Sequence, residues 1–169
     1  GGDAELVSMC LEGMSNAVKI AARFELDEER DSLVASLVDL ARLDAPAEVR
    51  LANALCVRAL AALMLSEGEL FKTSWPRALQ CVSEALRLCA MDAEGEDDSV
   101  GAAPPAPPRR GPAVLTPQRR ALLAASQVVR GTLNPGAVER IFVESPRLSE
   151  EAIVGLVEAL VRVAKVELL

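Results

Sequence analysis

The sequence contains no histidine and no tyrosine, and it has only one tryptophan and three phenylalanines among its 169 residues. The absence of histidine removes the most common general base and the most common transition-metal ligand of proteins. The sequence also lacks cysteines at zinc-site spacing, a glycine-rich phosphate loop and a nucleophile elbow. It therefore predicts a chain that is not an enzyme, with no catalytic residue, no metal, no cofactor and no small-molecule substrate.

The shortage of aromatic residues also bears on the fold class. Half of the residues are apolar, most of them Ala, Leu and Val, and a chain of this length buries one ordinary core without disulfides. Small and aliphatic side chains favour packed helices over sandwiches or barrels. The composition therefore predicts a single all-α domain.

Basic residues are fewer than acidic ones, 18 against 25, so the formal net charge is −7. A dedicated nucleic-acid binder needs a clustered basic excess to neutralise phosphates, so no nucleic-acid partner is expected. No apolar run reaches the roughly 18 to 20 residues of a membrane span, and the first residues lack the order of a signal peptide. These features predict a cytoplasmic protein, and the start at Gly1 and Gly2 suggests a fragment of a longer one.

Four cysteines, Cys10, Cys56, Cys81 and Cys89, lie far apart inside helical patterns. Without a close pair they are expected to be small buried hydrophobic residues in a reducing compartment.

Apolar spacing of three and four residues predicts four helices in the first half of the chain. The first, over about 3–24, is expected to bury Leu6, Met9, Cys10, Met14, Ala17, Ile20, Ala21 and Phe24. The second begins with Asp27 as its cap and ends near Leu43; the third has Pro46 in its first turn, is the most buried and ends at Gly68. The fourth starts from a Ser74 cap and spans about 75–91.

The composition changes abruptly at residues 92–116, which are acidic and then rich in proline. Such a segment cannot bury enough apolar area to offset its ordering entropy, so it is predicted to be a disordered loop between two helical halves, 1–91 and 117–169, of one domain. A tolerated insertion and a proline-rich docking peptide are the two interpretations of it.

Three further helices are predicted after this loop. Thr116 begins the fifth, a turn over 131–136 leads to a short sixth, and Pro146 ends that one. Ser149 caps the last helix, whose expected buried face is Ile153, Leu156, Val157, Leu160 and Ala164.

Three side chains are candidates for contact with a partner. Trp75 offers a large apolar ring at a helix start, where packing in the core is the stronger interpretation. Arg140 and Arg147 flank a short helix and its loop, where they are either simple surface charges or contacts for an acidic surface or lipid headgroups.

Three stretches resemble large brefeldin-A-sensitive Arf guanine nucleotide exchange factors, in the first homology region downstream of their catalytic domain. They are NAVKIAARFELDEERDSLVASLVDLARL (16–43), ALCVRALAALMLSEGELFKTSWPRALQCVSEALRL (54–88) and AVERIFVESPRLSEEAIVGLVEALVRVAKVELL (137–169). The second is the most specific, because it keeps an acid-Gly turn, a Ser-Trp helix start and a Cys-Val-Ser run in the family's order. The 92–116 insert and the lack of an aromatic residue near Val157 depart from the family.

The resemblance implies an armadillo/HEAT-like stack of antiparallel helix pairs, about seven helices in all. It further implies a non-catalytic regulatory module that binds a GTP-loaded Arf-family GTPase, other domains of its own chain and, peripherally, the membrane surface. Through these contacts the module would recruit and activate the parent in Golgi and trans-Golgi traffic. The alternatives are a purely structural solenoid segment for intramolecular packing or dimerisation, and direct lipid binding by the last helix.

Overall fold

A computed structural model describes residues 2–90 and 116–168 of the chain, and within these ranges the fold is all-α with no strand. The seven α-helices in the described part are α1 (Gly2–Arg23), α2 (Asp27–Ala41), α3 (Leu51–Ser66), α4 (Trp75–Ala90), α5 (Pro117–Thr132), α6 (Pro135–Glu144) and α7 (Glu150–Glu167). The prediction of an all-α chain with about seven helices is confirmed. The predicted loop at 92–116 lies outside the described residues except for Thr116, and the division into two halves stays a prediction.

Two of the predicted helix starts have the expected caps. The Thr116 hydroxyl accepts a hydrogen bond from the Arg119 N–H at 3.3 Å, and the Ser149 hydroxyl accepts one from the Ala152 N–H at the same distance. These hydroxyls satisfy backbone donors that have no partner within the first helical turn. The start of α6 is also capped, because the Asn134 side chain accepts a hydrogen bond from the Gly136 N–H at 3.0 Å.

Two other predicted caps and one predicted helix start are wrong, although α4 begins at Trp75 as predicted. Asp27 is the first residue of α2 and not its cap, because its carboxylate pairs with basic side chains instead. Ser74 belongs to a 3-10 turn, Lys72–Ser74, and its hydroxyl donates to Asp31. Pro46 lies in a separate 3-10 turn, Pro46–Glu48, so α3 begins only at Leu51.

The core is built around α3, which packs against α1, α2, α4, α5 and α6, while α7 packs mainly on α4. The prediction that the third helix is the most buried is confirmed, since it buries Ala54, Leu55, Cys56, Val57, Leu60, Ala61, Leu63 and Met64. Helices from both sides of the 91–115 gap therefore share one core. Burial of this apolar surface is the main force that holds the helices together.

The prediction for the buried face of α1 is wrong for most of its eight residues, since only Ala21 is buried, and Met14 and Ala17 are half-buried. The residues that α1 buries fully are Leu11, Val18, Ala21 and Ala22. Leu6 and Phe24 are 61% and 74% exposed, and Met9, Cys10 and Ile20 are exposed as well. Apolar residues cover more than half of the circumference of α1, so the apolar spacing alone did not identify the face that meets α2 and α3.

The last helix shows the same error to a smaller degree. Its buried residues are Ala152, Leu156, Ala159 and Val163. Val157 and Leu160, which were expected to be buried, are 50% and 37% exposed, and Ala164 is exposed too. Two of the four buried residues are alanines, which allow α7 to approach α4 and the turns before it closely.

The prediction for the cysteines holds for two of the four. Cys56 and Cys81 are buried free thiols, whereas Cys89 is half-buried and Cys10 is exposed. Burial raises the pKa of Cys81 to about 12, with smaller contributions from Glu84 and Cys56. Such a thiol stays protonated and unreactive at neutral pH.

Candidate partner-binding surface

A groove of about 610 Å³ lies between the first half of α7 and the segment that connects α3 to α4. We call it the Trp75 groove. Its floor contains Leu70, Trp75, Pro76, Ala152, Gly155 and Ala159. Its charged rim contains Glu69, Lys72, Glu151, Glu158 and Arg162. An apolar floor with a mixed charged rim is the usual character of a protein-binding surface.

The groove is fixed by a contact between its two sides. The Glu69 carboxylate accepts a hydrogen bond from the backbone N–H of Ser149 at 2.9 Å. Ser149 is the N-cap of α7, so this bond anchors the start of that helix to the 3-10 turn Gly68–Leu70. Hydrogen bonds from Ser149 hold the pKa of Glu69 below its ordinary value, so the carboxylate remains charged and continues to accept.

Trp75 forms the floor of the groove from within the core. Its side chain is only 1% exposed, and its ring meets that of Phe71 at a centroid distance of 5.2 Å and an angle of 54°. A Cβ at Gly68 would lie 3.3 Å from the indole ring, and one at Gly155 would lie 3.9 Å from it. The distance at Gly68 is tighter than an ordinary contact, so the missing Cβ there lets the backbone approach the indole, and Gly68 needs no left-handed conformation for this role. The distance at Gly155 is an ordinary van der Waals contact.

The N–H group of the buried indole, at Trp75 Nε1, has no hydrogen-bond partner. Packing contacts alone therefore hold the ring in its position. Because the side chain is only 1% exposed, a partner that enters the groove meets little of the ring.

An ionic network holds the α3–α4 connection against α2. The guanidinium of Arg30, which is fully buried, donates to Asp27, to Asp31 at 2.8 and 3.0 Å, and to the Thr73 hydroxyl at 3.1 Å. The hydroxyls of Thr73 and Ser74 donate in turn to the Asp31 carboxylate. Every charge of the network thus has an opposite charge or a hydroxyl beside it, which is the condition for burying an arginine at acceptable cost.

This network also fixes the backbone next to the groove. Lys72 has a φ of 43°, in the left-handed region that side chains other than glycine rarely adopt. Its ammonium group lies 3.2 Å from the Asp27 carboxylate, which secures the residue in that conformation. Hydrogen bonds from Lys72 and Arg30 lower the pKa of Asp27. Partial burial opposes the same effect at Asp31, but hydrogen bonds from Ser74, Thr73 and Arg30 outweigh it and lower that pKa too.

Arg162 is the prominent free charge at the groove. It is exposed, lines the Trp75 groove and also lines an adjoining hollow of about 290 Å³, which Arg77 lines from α4. Neither arginine forms an ion pair with a carboxylate in the described part of the chain. Both guanidinium groups are therefore available to carboxylates of a partner.

The other two predicted contact residues lie elsewhere. Arg140 is an exposed residue of α6 that pairs with Glu144 at 2.9 Å, one helical turn away. Arg147 is exposed at the end of the 3-10 turn Ser145–Arg147. Neither lines the Trp75 groove, so the structure does not bring the three predicted residues together in one site.

Arg30, Lys72 and Arg162 were not among the residues predicted for the site. The Asp27, Arg30, Asp31 spacing was a usable signal, because residues three apart on a helix are neighbours. The hydrogen bonds that join Arg30 and Asp31 to Thr73 and Ser74 could not be predicted in this way, because these residues are more than forty positions away in the sequence.

No three His, Cys, Asp or Glu side chains in the described ranges converge so that they could bind a metal ion. None of the described helices is long and apolar enough to cross a membrane. What the Trp75 groove offers is contact area and charge.

Several curated proteins are similar to this chain over nearly its whole length. Brefeldin A-inhibited guanine nucleotide-exchange protein 3 of Arabidopsis thaliana is 27% identical, with 98% of this chain and 12% of that protein covered. Brefeldin A-inhibited guanine nucleotide-exchange protein 1 of Bos taurus is 28% identical over 99% of this chain and 10% of its own length. The ADP-ribosylation factor guanine nucleotide-exchange factor sec72 of Schizosaccharomyces pombe is 26% identical over 94% and 10%.

The chain is thus homologous to large Arf guanine nucleotide exchange factors, and it spans about a tenth of the length of these relatives. No family model matches the sequence, and no solved structure is significantly similar to it.

Proposed function

We propose that this chain is a non-catalytic regulatory module of a large Arf guanine nucleotide exchange factor, equivalent to the first homology region downstream of the catalytic domain. The observation that carries the proposal is that almost the entire chain is similar to one segment of such proteins, a segment that makes up about a tenth of their length. The all-helical architecture agrees with an armadillo-like repeat unit, in which neighbouring helix pairs share a continuous core.

The module acts by binding a membrane-anchored Arf-family GTPase in its GTP form, and it thereby recruits and activates the parent at Golgi and trans-Golgi membranes. GTP orders the switch segments of small GTPases, so a surface that fits the ordered segments distinguishes GTP from GDP. The Trp75 groove supplies an apolar floor for such a segment, and Arg162 supplies a free guanidinium at its rim. Arg140 and Arg147 form a second candidate surface, toward acidic groups of the GTPase or of lipid headgroups.

A structural role in packing against other parts of the parent is the second candidate. Exposed apolar residues on α1 and α7 favour it, notably Leu6 on α1 and Val157 on α7. Terminal helices of a repeat array bury such residues against their neighbours. Direct lipid binding has less support, because the polar side chains of α7 are of both signs and attract anionic lipid only weakly.

The test is co-sedimentation of the chain with liposomes that carry a lipid-anchored Arf-family GTPase loaded with a GTP analogue, with GDP, or absent. Recruitment only by the GTP form supports the proposal. Equal recruitment to bare liposomes assigns lipid binding instead. Absence of recruitment of a chain that is folded by circular dichroism leaves the structural role.

Charge-reversal variants locate the surface. Arg162→Glu should weaken GTP-dependent recruitment about tenfold if the Trp75 groove is the contact. The double variant Arg140→Glu and Arg147→Glu tests the second surface in the same assay. Arg87→Glu is the matched control, because Arg87 is an exposed arginine of α4 that does not line the groove. An effect of the control equal to that of Arg162→Glu would indicate only nonspecific electrostatics.

A further inference from the structure

The Trp75 groove has charges of opposite sign at its two ends. Glu69 and Glu151 line the end at the start of α7. Arg162 lines the other end, and Arg77 lines the adjoining hollow beside it. Glu151 and Arg162 are eleven positions apart in sequence, so they lie about 16 Å apart along α7. The groove is therefore acidic at one end and basic at the other.

These end charges are available to a partner. Arg77, Glu151 and Arg162 are exposed, and none of them forms an ion pair within residues 2–90 and 116–168. Glu158 lies one helical turn before Arg162 on the rim and is not paired with it. The Glu69 carboxylate is engaged by the start of α7, which leaves Glu151 as the free acid of its end.

The walls of the groove favour a helical occupant. One wall is α7, and the other consists of the 3-10 turns Gly68–Leu70 and Lys72–Ser74. Neither wall has a strand edge with which an extended segment could pair its backbone. A helix satisfies its own backbone groups and needs only side-chain contacts. The small residues Ala152, Gly155 and Ala159 on the floor let a second helix come close to α7.

We propose that the Trp75 groove binds an amphipathic helix of its partner, with an acidic residue at the end near Arg162 and a basic residue at the end near Glu151. Apolar side chains between these two charges cover Leu70, Pro76 and Val154, which line the groove and are partly or fully exposed. The inference rests on the proposed function, because it names the kind of segment that the GTPase presents to this groove. It adds the secondary structure of the segment and the order of its charges.

The dimensions of the groove agree with a short helix. A helix of about fifteen residues extends over about 22 Å, which is enough to reach both charged ends. Two of its residues that are about eleven positions apart are separated by three full turns, so both face the groove. The groove volume of about 610 Å³ accommodates the side chains of one helical face. The helix can lie in either direction, since what the groove determines is which end of it holds the acid.

Three synthetic peptides test the order of charges against the full chain. Each is a blocked helix of about fifteen residues with the same leucine face, equal helicity by circular dichroism, and no tryptophan or tyrosine. The bipolar peptide carries two glutamates at one end and two lysines at the other. The second peptide carries glutamates at both ends, and the third carries lysines at both ends. The bipolar peptide should bind about tenfold more tightly than the other two, because it alone meets an opposite charge at each end.

Trp75 reports where each peptide binds. It is the only tryptophan of the chain and forms the floor of the groove. Energy transfer from its indole to a dansyl group at the centre of the peptide therefore measures proximity to the groove. This transfer should saturate together with the anisotropy of the dansyl group, which measures total binding.

Charge reversal at each end of the groove supplies matched variants. Arg162→Glu should weaken binding of the bipolar peptide about tenfold and strengthen binding of the lysine peptide to the same degree. Glu151→Arg should also weaken the bipolar peptide, and it should strengthen the glutamate peptide instead. Arg87→Glu, away from the groove, should change none of the three. Because the bipolar peptide has no net charge, a change in the net charge of the chain does not produce this pattern.

The same two reversals apply to GTP-dependent recruitment by the GTPase. Arg162→Glu and Glu151→Arg should both weaken it, although they change the net charge of the chain in opposite directions. Nonspecific attraction predicts instead that one reversal weakens recruitment and the other strengthens it.

Three results would overturn the inference. They are binding of none of the peptides, equal binding of all three, and a preference for the bipolar peptide that persists in Arg162→Glu. Failure of the proposed function is distinguishable from these results. Recruitment by the GTP form without a bipolar preference retains the proposed function and rejects the helix. A bipolar preference without any recruitment retains the helix-binding groove and rejects an Arf-family GTPase as its partner.

Discussion

Replacement of Trp75 by alanine should be among the most damaging substitutions in the chain. The indole is 1% exposed, packs on Phe71 and is approached by Gly68 and Gly155. Because Nε1 has no hydrogen-bond partner, truncation loses packing and buried apolar area but no hydrogen bond. The expected loss therefore follows from these two terms alone.

Its size can be estimated in two ways. A buried tryptophan removes about 150 to 250 Å² from water, worth roughly 4 to 6 kcal/mol at about 25 cal/mol per Å². Measured truncations of large aromatic residues cost about 3 to 5 kcal/mol. The open groove beside the ring allows some collapse, so we expect about 3 to 4 kcal/mol for Trp75→Ala. Trp75→Phe keeps a ring against Phe71 and should cost only about 1 to 2 kcal/mol.

Urea unfolding followed by far-ultraviolet circular dichroism measures both losses, because the variants lack the only tryptophan and the chain has no tyrosine. Val157→Ala, at a half-exposed site on α7, is the control and should change stability by about 0.5 kcal/mol or less. A cost below about 1 kcal/mol for Trp75→Ala would refute the assignment of this ring to the core. It would then favour a role for the indole in partner contact.

Further predictions concern the ionic network, the glycines and a helix cap. Because the folded-state pKa values of Asp27 and Asp31 lie below the ordinary value of 3.8, their stabilising contribution is complete above that pH and is lost as the pH falls through the lowered values. Asp31→Asn should therefore flatten the acid dependence of the unfolding free energy, and an unchanged slope would contradict the network. Gly68→Ala should destabilise the folded chain, because the new Cβ forces the indole to shift. Gly131→Ala has open space at its Cβ and should stabilise α5 by about 0.5 to 1 kcal/mol. Thermal melts would measure both effects. Ser149→Ala should cost about 1 kcal/mol in urea unfolding through loss of the α7 cap; no change would mean that the Glu69 contact alone holds the start of that helix.

The number and approximate position of the helices could be predicted because they depend on local features. Spacing of apolar residues and caps such as Thr116 and Ser149 act within one or two helical turns, and both caps are confirmed. Asp27 was misassigned as a cap, because a distant residue, Lys72, competes for its carboxylate. Rules based only on neighbouring residues cannot take such a distant partner into account.

What the sequence determined by itself is the all-helical class, since short-range propensity and periodicity suffice for it. Only the tertiary structure decided which apolar side of α1 is buried, because apolar residues cover more than half of the circumference of that helix and the choice depends on the shapes of α2 and α3. The same holds for the Trp75 groove, whose two sides are almost eighty residues apart in sequence and meet through the Glu69 and Ser149 contact. Packing sums many weak, shape-dependent contacts between distant segments, so no local pattern encodes its outcome.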